Sequence, residues 1–480
     1  MDTRDQFASR EAVETDQSGA WLPRLDRWSG PIYLAIADAI GADLRSGRLR
    51  SGERLPTQRE LAKQLGINFT TVTRAYDEAR RRGLLSARAG SGTFIRAEAA
   101  AEAKPAHEPA IVADLTTSEP PDSDLLTSAL RRTLTSMVSG DTLQPLMRYQ
   151  RQGGSNEERA AGVEWLGRRI PDLDTDRVTV TAGAQHGISV LFASIVGPGG
   201  LVFAEPLSAR SLRPLANLLR IRLCGVAMDD RGLLPDAFAA ACRAEPQRPA
   251  ALYCMPTLHN PTTVTMPLDR RHAIADIARR HGVVLIEDDA YGLLAAAPPP
   301  PLAAIAPDVT FHITTLSKTL TPGLRVAYIA APDARRAGPI AAATSVTAIM
   351  PPPLSAAVAV RWIFDGTADQ LLRAVRQEVA ARHAIAAAAL AGTDMLSTPE
   401  SYYVWLRLPP RWPKAELIAH AMHKGISIES SDGFAIDGQG PDAVRLSLSG
   451  PNDRTRLRSA LLTLADLIEQ EPAARGAWSM

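Results

Sequence analysis

Cysteine is scarce in this chain. Three residues in 480, Cys224, Cys242 and Cys254, are too few and too irregularly spaced for a disulfide framework or a four-ligand zinc site. That usage points to a reducing, cytoplasmic compartment. Aromatic residues make up only 5% of the chain, and neither sign of charge dominates: 53 basic against 52 acidic residues leave a net charge of +1. Neither a polybasic arm nor an acidic tail therefore describes the molecule as a whole. Long apolar runs are missing too. The uncharged stretch Ala337–Val360 covers 24 positions, but it contains Pro339 and Pro351, Pro352 and Pro353 and is mostly Ala, Ser and Thr, which argues against a membrane span. The first twenty residues are polar with charges of both signs and read as neither a signal peptide nor a transit peptide.

What is present is local. Between Pro31 and Arg96, twelve Lys and Arg residues stand against six Asp and Glu, a net +6 that leaves the remainder of the chain at −5. A compact basic module on a slightly acidic body is the pattern of a nucleic-acid-binding head. Ala97–Ala110, AEAAAEAKPAHEPA, holds no bulky apolar side chain and reads as a linker. These shifts predict a disordered tail over residues 1–24, a basic domain over 25–96, a linker over 97–112 and a large domain over 113–480.

Inside the basic module, Ile32, Ile36, Ile40 and Leu44 recur every fourth residue and predict an amphipathic helix ending near Gly47. Thr57-Gln58-Arg59-Glu60 is a capping-box pattern opening a second helix that Gly66 stops near Leu65. Asn68 caps a third, carrying Val72, Tyr76 and Ala79 on one face and ending at Gly83. Two short helices around Gly66-Ile67-Asn68 make a helix-turn-helix, a spacing also found in proteins that never touch DNA. The following LLSARAGSGTFIR alternates toward two strands about Gly90-Ser91-Gly92, a hairpin wing. Through LPTQRELAKQLGINFTTVTRAY and RAGSGTF, residues 31–96 resemble the winged-helix domain of the GntR family of bacterial regulators. The resemblance implies that Arg59 reaches DNA, that the recognition helix makes contacts through Thr70 and Thr71, and that Gly90 of the wing lies along the minor groove. Arg74 and Arg88 are further basic candidates for phosphate or base contacts.

From Asp114 onward, short apolar runs alternate with helical segments: VTV (178–180), LVFA (201–204), ALYCM (251–255), VVLIE (283–287) and RVAYIA (325–330). This predicts an α/β fold with a mainly parallel sheet covered on both faces, whose ligands bind beyond the strands' carboxyl ends. Polar motifs sit there. Thr181-Ala182-Gly183-Ala184-Gln185 turns a strand into a helix whose first N–H groups suit an anion. His259-Asn260-Pro261-Thr262, Asp288-Asp289-Ala290-Tyr291 and Thr315-Leu316-Ser317-Lys318 follow other strands, and Arg325 comes seven residues after the lysine. Pyridoxal 5'-phosphate (PLP) needs such a set: a lysine for an imine, a carboxylate for the ring nitrogen, donors to the phenolic oxygen and a phosphate cradle. A Ser-x-x-Lys hydrolase is excluded because position 315 is Thr and no Ser-Asp-Asn or Lys-Thr-Gly follows.

Residues 114–470 resemble the fold type I aminotransferases. The resemblance implies that Lys318 forms the internal aldimine, Asp288 pairs with the pyridine nitrogen, and Asn260 and Tyr291 bond the phenolic oxygen. Ala184, Gln185, Ser317, Arg325 and, less typically, Thr315 would hold the phosphate. Tyr149 matches the tyrosine that reaches across a homodimer to the neighbouring phosphate, and Arg445 matches the arginine that grips an α-carboxylate. Two departures stand out. Glu205-Pro206-Leu207-Ser208 is followed by Ala209 where an aromatic residue usually covers the ring, and Thr263 replaces the usual Gly after Asn-Pro-Thr. The order of parts resembles the MocR subgroup of GntR regulators. It implies a homodimeric, cytoplasmic regulator of a double-stranded DNA operator that senses PLP, or an amino compound through external aldimine formation. The alternative is an active PLP-dependent aminotransferase with an accessory DNA-binding domain.

Overall fold

The four-residue apolar rhythm of the basic module becomes helix α1 (Ile32–Arg45), followed by α2 (Gln58–Leu65), α3 (Phe69–Arg81) and an antiparallel hairpin of β1 (Leu85–Arg88) and β2 (Gly92–Ile95). The computed structural model of the chain describes residues 21–23, 32–45, 48–50, 52–81, 84–88, 92–95, 112–140, 143–245 and 251–470. It divides into two units, residues 1–110 and 111–480. Gly90, Arg96, residues 1–20 of the expected tail, the expected helix stops Gly47 and Gly83, and linker residues 97–111 lie outside the described residues, as does the side chain of Arg88.

The small unit closes over Ile36, Ile40, Leu61, Val72, Tyr76, Leu85 and Ile95. Tyr76 is buried with its hydroxyl donating to the Pro56 carbonyl at 2.8 Å, which satisfies the one polar atom an aromatic brings inside. One boundary needs correction. Trp21, placed by the sequence reading in the tail, packs into this core and donates its indole N–H to Asp43 Oδ2 at 2.8 Å. Trp21 lies in a short stretch, Ala20-Trp21-Leu22-Pro23, that shows no helical or strand period, so its docking 22 residues away on Asp43 leaves no local signal.

The large unit runs β3 (Ala113–Asp114), α4 (Asp124–Ser139), α5 (Leu143–Leu146), α6 (Asn156–Leu166), β4 (Val178–Thr181), α7 (Ala184–Leu191), β5 (Leu201–Ala204), β6 (Arg222–Gly225), the short pair β7 (Met228–Asp229) and β8 (Gly232–Leu233), β9 (Ala251–Cys254), β10 (Val284–Asp288), β11 (Thr310–Thr315) and β12 (Ala327–Ala330). Its main sheet has the order β4-β12-β11-β10-β9-β5-β6. Strand β12 runs antiparallel to both neighbours, and the other pairings are parallel. Alternate side chains of the buried strands feed two cores: Val202, Tyr253 and Ile286 on one face, Phe203, Leu252 and Leu285 on the other. A sheet buried on both faces explains the continuous apolar runs.

A second layer follows. Strands β13 (Met395–Leu396), β14 (Tyr403–Arg407), β16 (Glu429–Ser430) and β17 (Ala443–Ser447) form an antiparallel sheet ordered β13-β14-β17-β16, while β15 (Ile426–Ser427) pairs with β3. The uncharged stretch after Ala337 lies in two helices, Ala334–Ala348 and Pro353–Phe364. Among the described residues no helix is long and apolar enough to cross a membrane.

Candidate functional site

In the small unit, local chemistry sets the turn. Thr57 and Glu60 cap each other's backbone N–H groups at 3.3 and 2.8 Å, and Gly66 takes φ 65°, a left-handed conformation that glycine adopts without strain. Asn68 Oδ1 then accepts from both the N–H and the hydroxyl of Thr70, each at 2.9 Å. Arg59, Thr70 and Arg74 are exposed and Thr71 half-buried beside this turn. Arg48, Arg80 and Arg81 are tied to Asp43, Asp77 and Glu78. Arg59 and Arg74 have no such partner among the described residues, so their charge remains available to a polyanion.

In the large unit, the carboxyl ends of the central strands converge with the second sheet. The Lys318 amine donates to the Ser118 carbonyl and lies 5.9 Å from the centre of the Tyr291 ring. Tyr402 donates to the Lys318 carbonyl at 2.6 Å. At the end of β10, Asp288 is buried, with Oδ2 accepting from the Tyr253 hydroxyl at 2.6 Å and Oδ1 from the Ala290 N–H at 3.2 Å. Burial pushes its carboxyl up from the ordinary range, against the opposing hydrogen bond from Tyr253.

Arg445, on β17, is buried and crosses to the main sheet. It donates from Nη1 to Asn260 Oδ1 at 3.0 Å and from Nη2 to the Thr116 carbonyl at 2.8 Å. Its guanidinium carbon sits 4.7 Å from the Phe434 ring centre and 5.3 Å from that of Tyr403, a stacking geometry suited to arginine. Tyr403 in turn meets Tyr291 edge-on at 5.6 Å. Lys318, Tyr291, Arg445 and Asn260 are thus joined through direct contacts.

The turn from β4 into α7 places Gly183 at φ 87° as the residue before the helix that Ala184 and Gln185 open. A Cβ on Gly183 would lie 2.6 Å from Arg325 Nη2, so the guanidinium packs directly on the turn, whose positive φ favours glycine. Thr315 Oγ1 accepts from the Ser317 N–H at 3.2 Å and donates to the Val326 carbonyl at 3.3 Å. The buried Ser317 hydroxyl and Arg445 Nε have no hydrogen-bond partner among the described residues, an unusual state for buried polar atoms. Tyr149 does not join this set and is 81% exposed.

Several groups escaped the sequence reading. Tyr253 lay within an apolar run, and only its register beside β10 shows that its hydroxyl meets Asp288. Glu205 accepts from the Met255 N–H at 3.0 Å through Oε1, leaves Oε2 without a partner among the described residues and is pushed up to about 8 by burial, with Asp288 adding to the rise. Behind the site lies a buried quintet of ionisable side chains. Arg169 pairs with Asp289 at 2.9 Å; His312 lies between Glu287 at 2.9 Å and Asp289 at 3.7 Å. Arg271 reaches Glu287 at 4.0 Å and donates to the Pro256 carbonyl and Thr257 Oγ1 at 2.8 and 2.9 Å. These bonds fix the backbone preceding Asn260 and that flanking Asp288. His259 uses both ring nitrogens, on Thr262 at 2.7 Å and the Leu207 carbonyl at 3.0 Å, and burial lowers it to about 4. It is a packed, neutral histidine.

The two departures have structural expression. Thr263 adopts φ 66°, a conformation costly for a β-branched residue. Beside Ala209, the Ser208 N–H donates to the Phe434 carbonyl at 2.8 Å, so the second sheet's loop is bonded to this turn.

A winged helix-turn-helix with free arginines, followed by an aminotransferase-type body with a lysine among strand-end polar groups, defines a DNA-binding regulator carrying an aminotransferase-fold domain. Residues 32–95 match the gntR family of bacterial regulatory proteins and residues 110–459 match aminotransferase class I and II; the chain belongs to the GntR regulators of this fused, MocR-type architecture. It is 31% identical over 460 residues, 94% of this chain and 97% of the relative, to the uncharacterized HTH-type transcriptional regulator YdeF of Bacillus subtilis. It is 29% identical over 315 residues, 63% of this chain and 66% of the relative, to the HTH-type pyridoxine biosynthesis transcriptional regulator PdxR of Corynebacterium glutamicum. The multiple substrate aminotransferase of Thermococcus profundus superposes with a TM-score of 0.69 at 20% identity, covering 75% of this chain and 92% of that one.

Proposed function

We propose that the large unit binds PLP and that capture of the cofactor, or of a primary amine upon it, regulates DNA binding by the small unit. The observation carrying this reading is the assembly around Lys318 together with the partnerless Ser317 hydroxyl and Arg445 Nε. Two buried donors without acceptors suit an anionic ligand. Bound there, PLP supplies an aldehyde carbon that condenses with primary amines. Lys318 would present the amine and Asp288 would face the ring nitrogen. Asn260 and Tyr291 would orient the phenolic oxygen. Ala184, Gln185, Ser317, Thr315 and Arg325 would hold the phosphate, with Arg325 seated against Gly183. Arg445, already steered by Asn260 and two aromatic faces, grips a carboxylate on the effector.

A second copy of the chain completes the site through Tyr149. The exposure of Tyr149, Met147 at 64%, Val346 at 87% and Ile349 at 57% supports such a homodimer, because patches of this kind mark interaction surfaces. Gln150 N–H bonds Met350 Sδ at 3.3 Å, which joins the two segments carrying it. Two copies then present two winged helices to a duplex operator, in the cytoplasm where the chromosome lies. Effector capture shifts the equilibrium between states that differ in DNA affinity. The association of PdxR's name with pyridoxine biosynthesis favours a vitamin B6 compound as the signal.

The convergence of the strand-end groups also favours a second reading, a working aminotransferase; repeated turnover of amino donors and keto acids by the full chain would establish it. The test of the first is borohydride reduction of the PLP-loaded protein followed by peptide mapping. A pyridoxyl group on Lys318 and a DNA affinity that changes on adding cofactor or amines are expected. Absence of the adduct would overturn the cofactor assignment, and an unchanged affinity the regulatory one.

A further inference from the structure

The one large apolar side chain left exposed on the third helix is at its tip. Phe69 opens α3 and is 43% exposed, whereas Val72, Ala75, Tyr76 and Ala79 of the same helix are buried. Nothing about starting the helix requires an aromatic there. Asn68 caps the backbone, and Ile67 and Val72, the pair flanking that cap, already pack with the unit's core as a hydrophobic staple would. The ring forgoes burial that would stabilise the fold.

Its surroundings are those of a duplex-facing surface. Arg59, Thr70 and Arg74 are exposed around the same turn, and the two arginines have no ion pair among the described residues. Two of the three neighbouring hydroxyls have committed their protons, Thr70 to Asn68 Oδ1 at 2.9 Å and Thr73 to Gln58 Oε1 at 3.0 Å, which leaves that of the half-buried Thr71. The helix tip therefore offers few side-chain donors to base edges, and the feature it does offer is an apolar ring. In helix-turn-helix proteins the first residues of the recognition helix meet base edges in the major groove. There the C5 methyl of thymine is the one apolar group.

We propose that Phe69 is a specificity-determining residue that reads a thymine methyl in the operator. This rests on α3 being the recognition helix. The experiment begins with duplexes enriched by the full-length protein from a random-sequence pool, in which each thymine is replaced in turn by deoxyuridine, removing only the methyl. The expected result is one position per half-site where the replacement weakens wild-type binding about fourfold, the effect of one buried methyl-sized group, and leaves Phe69→Ala binding unchanged. Phe69→Leu should retain most of the sensitivity. A wild type indifferent to every replacement, an equal loss in Phe69→Ala, or failure to enrich any sequence would each overturn the proposal. If Arg59→Ala and Arg74→Ala also left affinity untouched, the assignment of α3 as recognition helix would fall with it. If those two weakened binding while no methyl mattered, only the role of Phe69 would be lost.

Discussion

The two units prepare for their ligands in opposite ways. In the small one, Arg59 and Arg74 stand in solvent with their charge uncommitted. In the large one, Asp288, Asn260 and Arg445 are buried and already bonded, to Tyr253 at 2.6 Å and to one another at 3.0 Å. A duplex presents a regular line of phosphates, and mobile surface cations meet it by releasing counterions without fixed geometry. A small molecule offers few atoms, so the groups meeting it need fixed positions before it arrives. The comparison teaches that exposure marks function in one unit and burial marks it in the other.

Changes to the large unit should break that contrast most severely. Arg271→Met takes the Arg271 cation from Glu287 and removes donors to the Pro256 and Met266 carbonyls, and should cost about 3–5 kcal/mol, read as a lower urea midpoint for the large unit. Glu205 comes next. Its carboxyl ionises near its ordinary value of 4.5 in the unfolded chain but not until about 8 in the folded one, so the native state retains a proton the unfolded state has lost. The stabilising effect is full below about 4.5 and disappears as pH rises through about 8. Unfolding titrations across that window should show a decline that Glu205→Gln flattens. Arg445→Ala should spare cofactor binding yet weaken a carboxylate-bearing effector by roughly 1.5–3 kcal/mol, measured by spectral titration. Arg59→Ala should have a smaller effect: lower operator affinity and a log-log salt slope shallower by about 0.9. Arg80→Ala, whose charge is paired with Asp77 at 3.0 Å, should change that slope less.

How far the sequence could be read follows the same division. Thr57, Glu60, Gly66 and Asn68 act within a few residues of themselves, so the helix-turn-helix was legible as local chemistry. The strands ending at Ala204, Cys254 and Asp288 were legible because burial on both faces leaves largely apolar runs. The antiparallel direction of β12 was not, since RVAYIA would read alike in either sense. Nor were the roles of Arg169, Arg271 and Glu287, because a charged side chain at a helix end, on a helix or at a strand end reads as solvated until tertiary structure closes over it. Tyr253 and Trp21 were hidden for a related reason: their roles depend on partners 35 and 22 residues away, which no local periodicity reports.

The quintet of Arg169, Arg271, Glu287, Asp289 and His312 has a consequence for how this protein can change over time. Each member is almost fully enclosed, with side-chain exposure of 5% or less, and each answers the charge or hydrogen bond of another. A single replacement strands a neighbour in a medium that tolerates no unpaired ion. A second, compensating replacement should restore what a single one loses, and the loops bearing Asn260 and Asp288 are mechanically coupled through a cluster that need never touch the ligand.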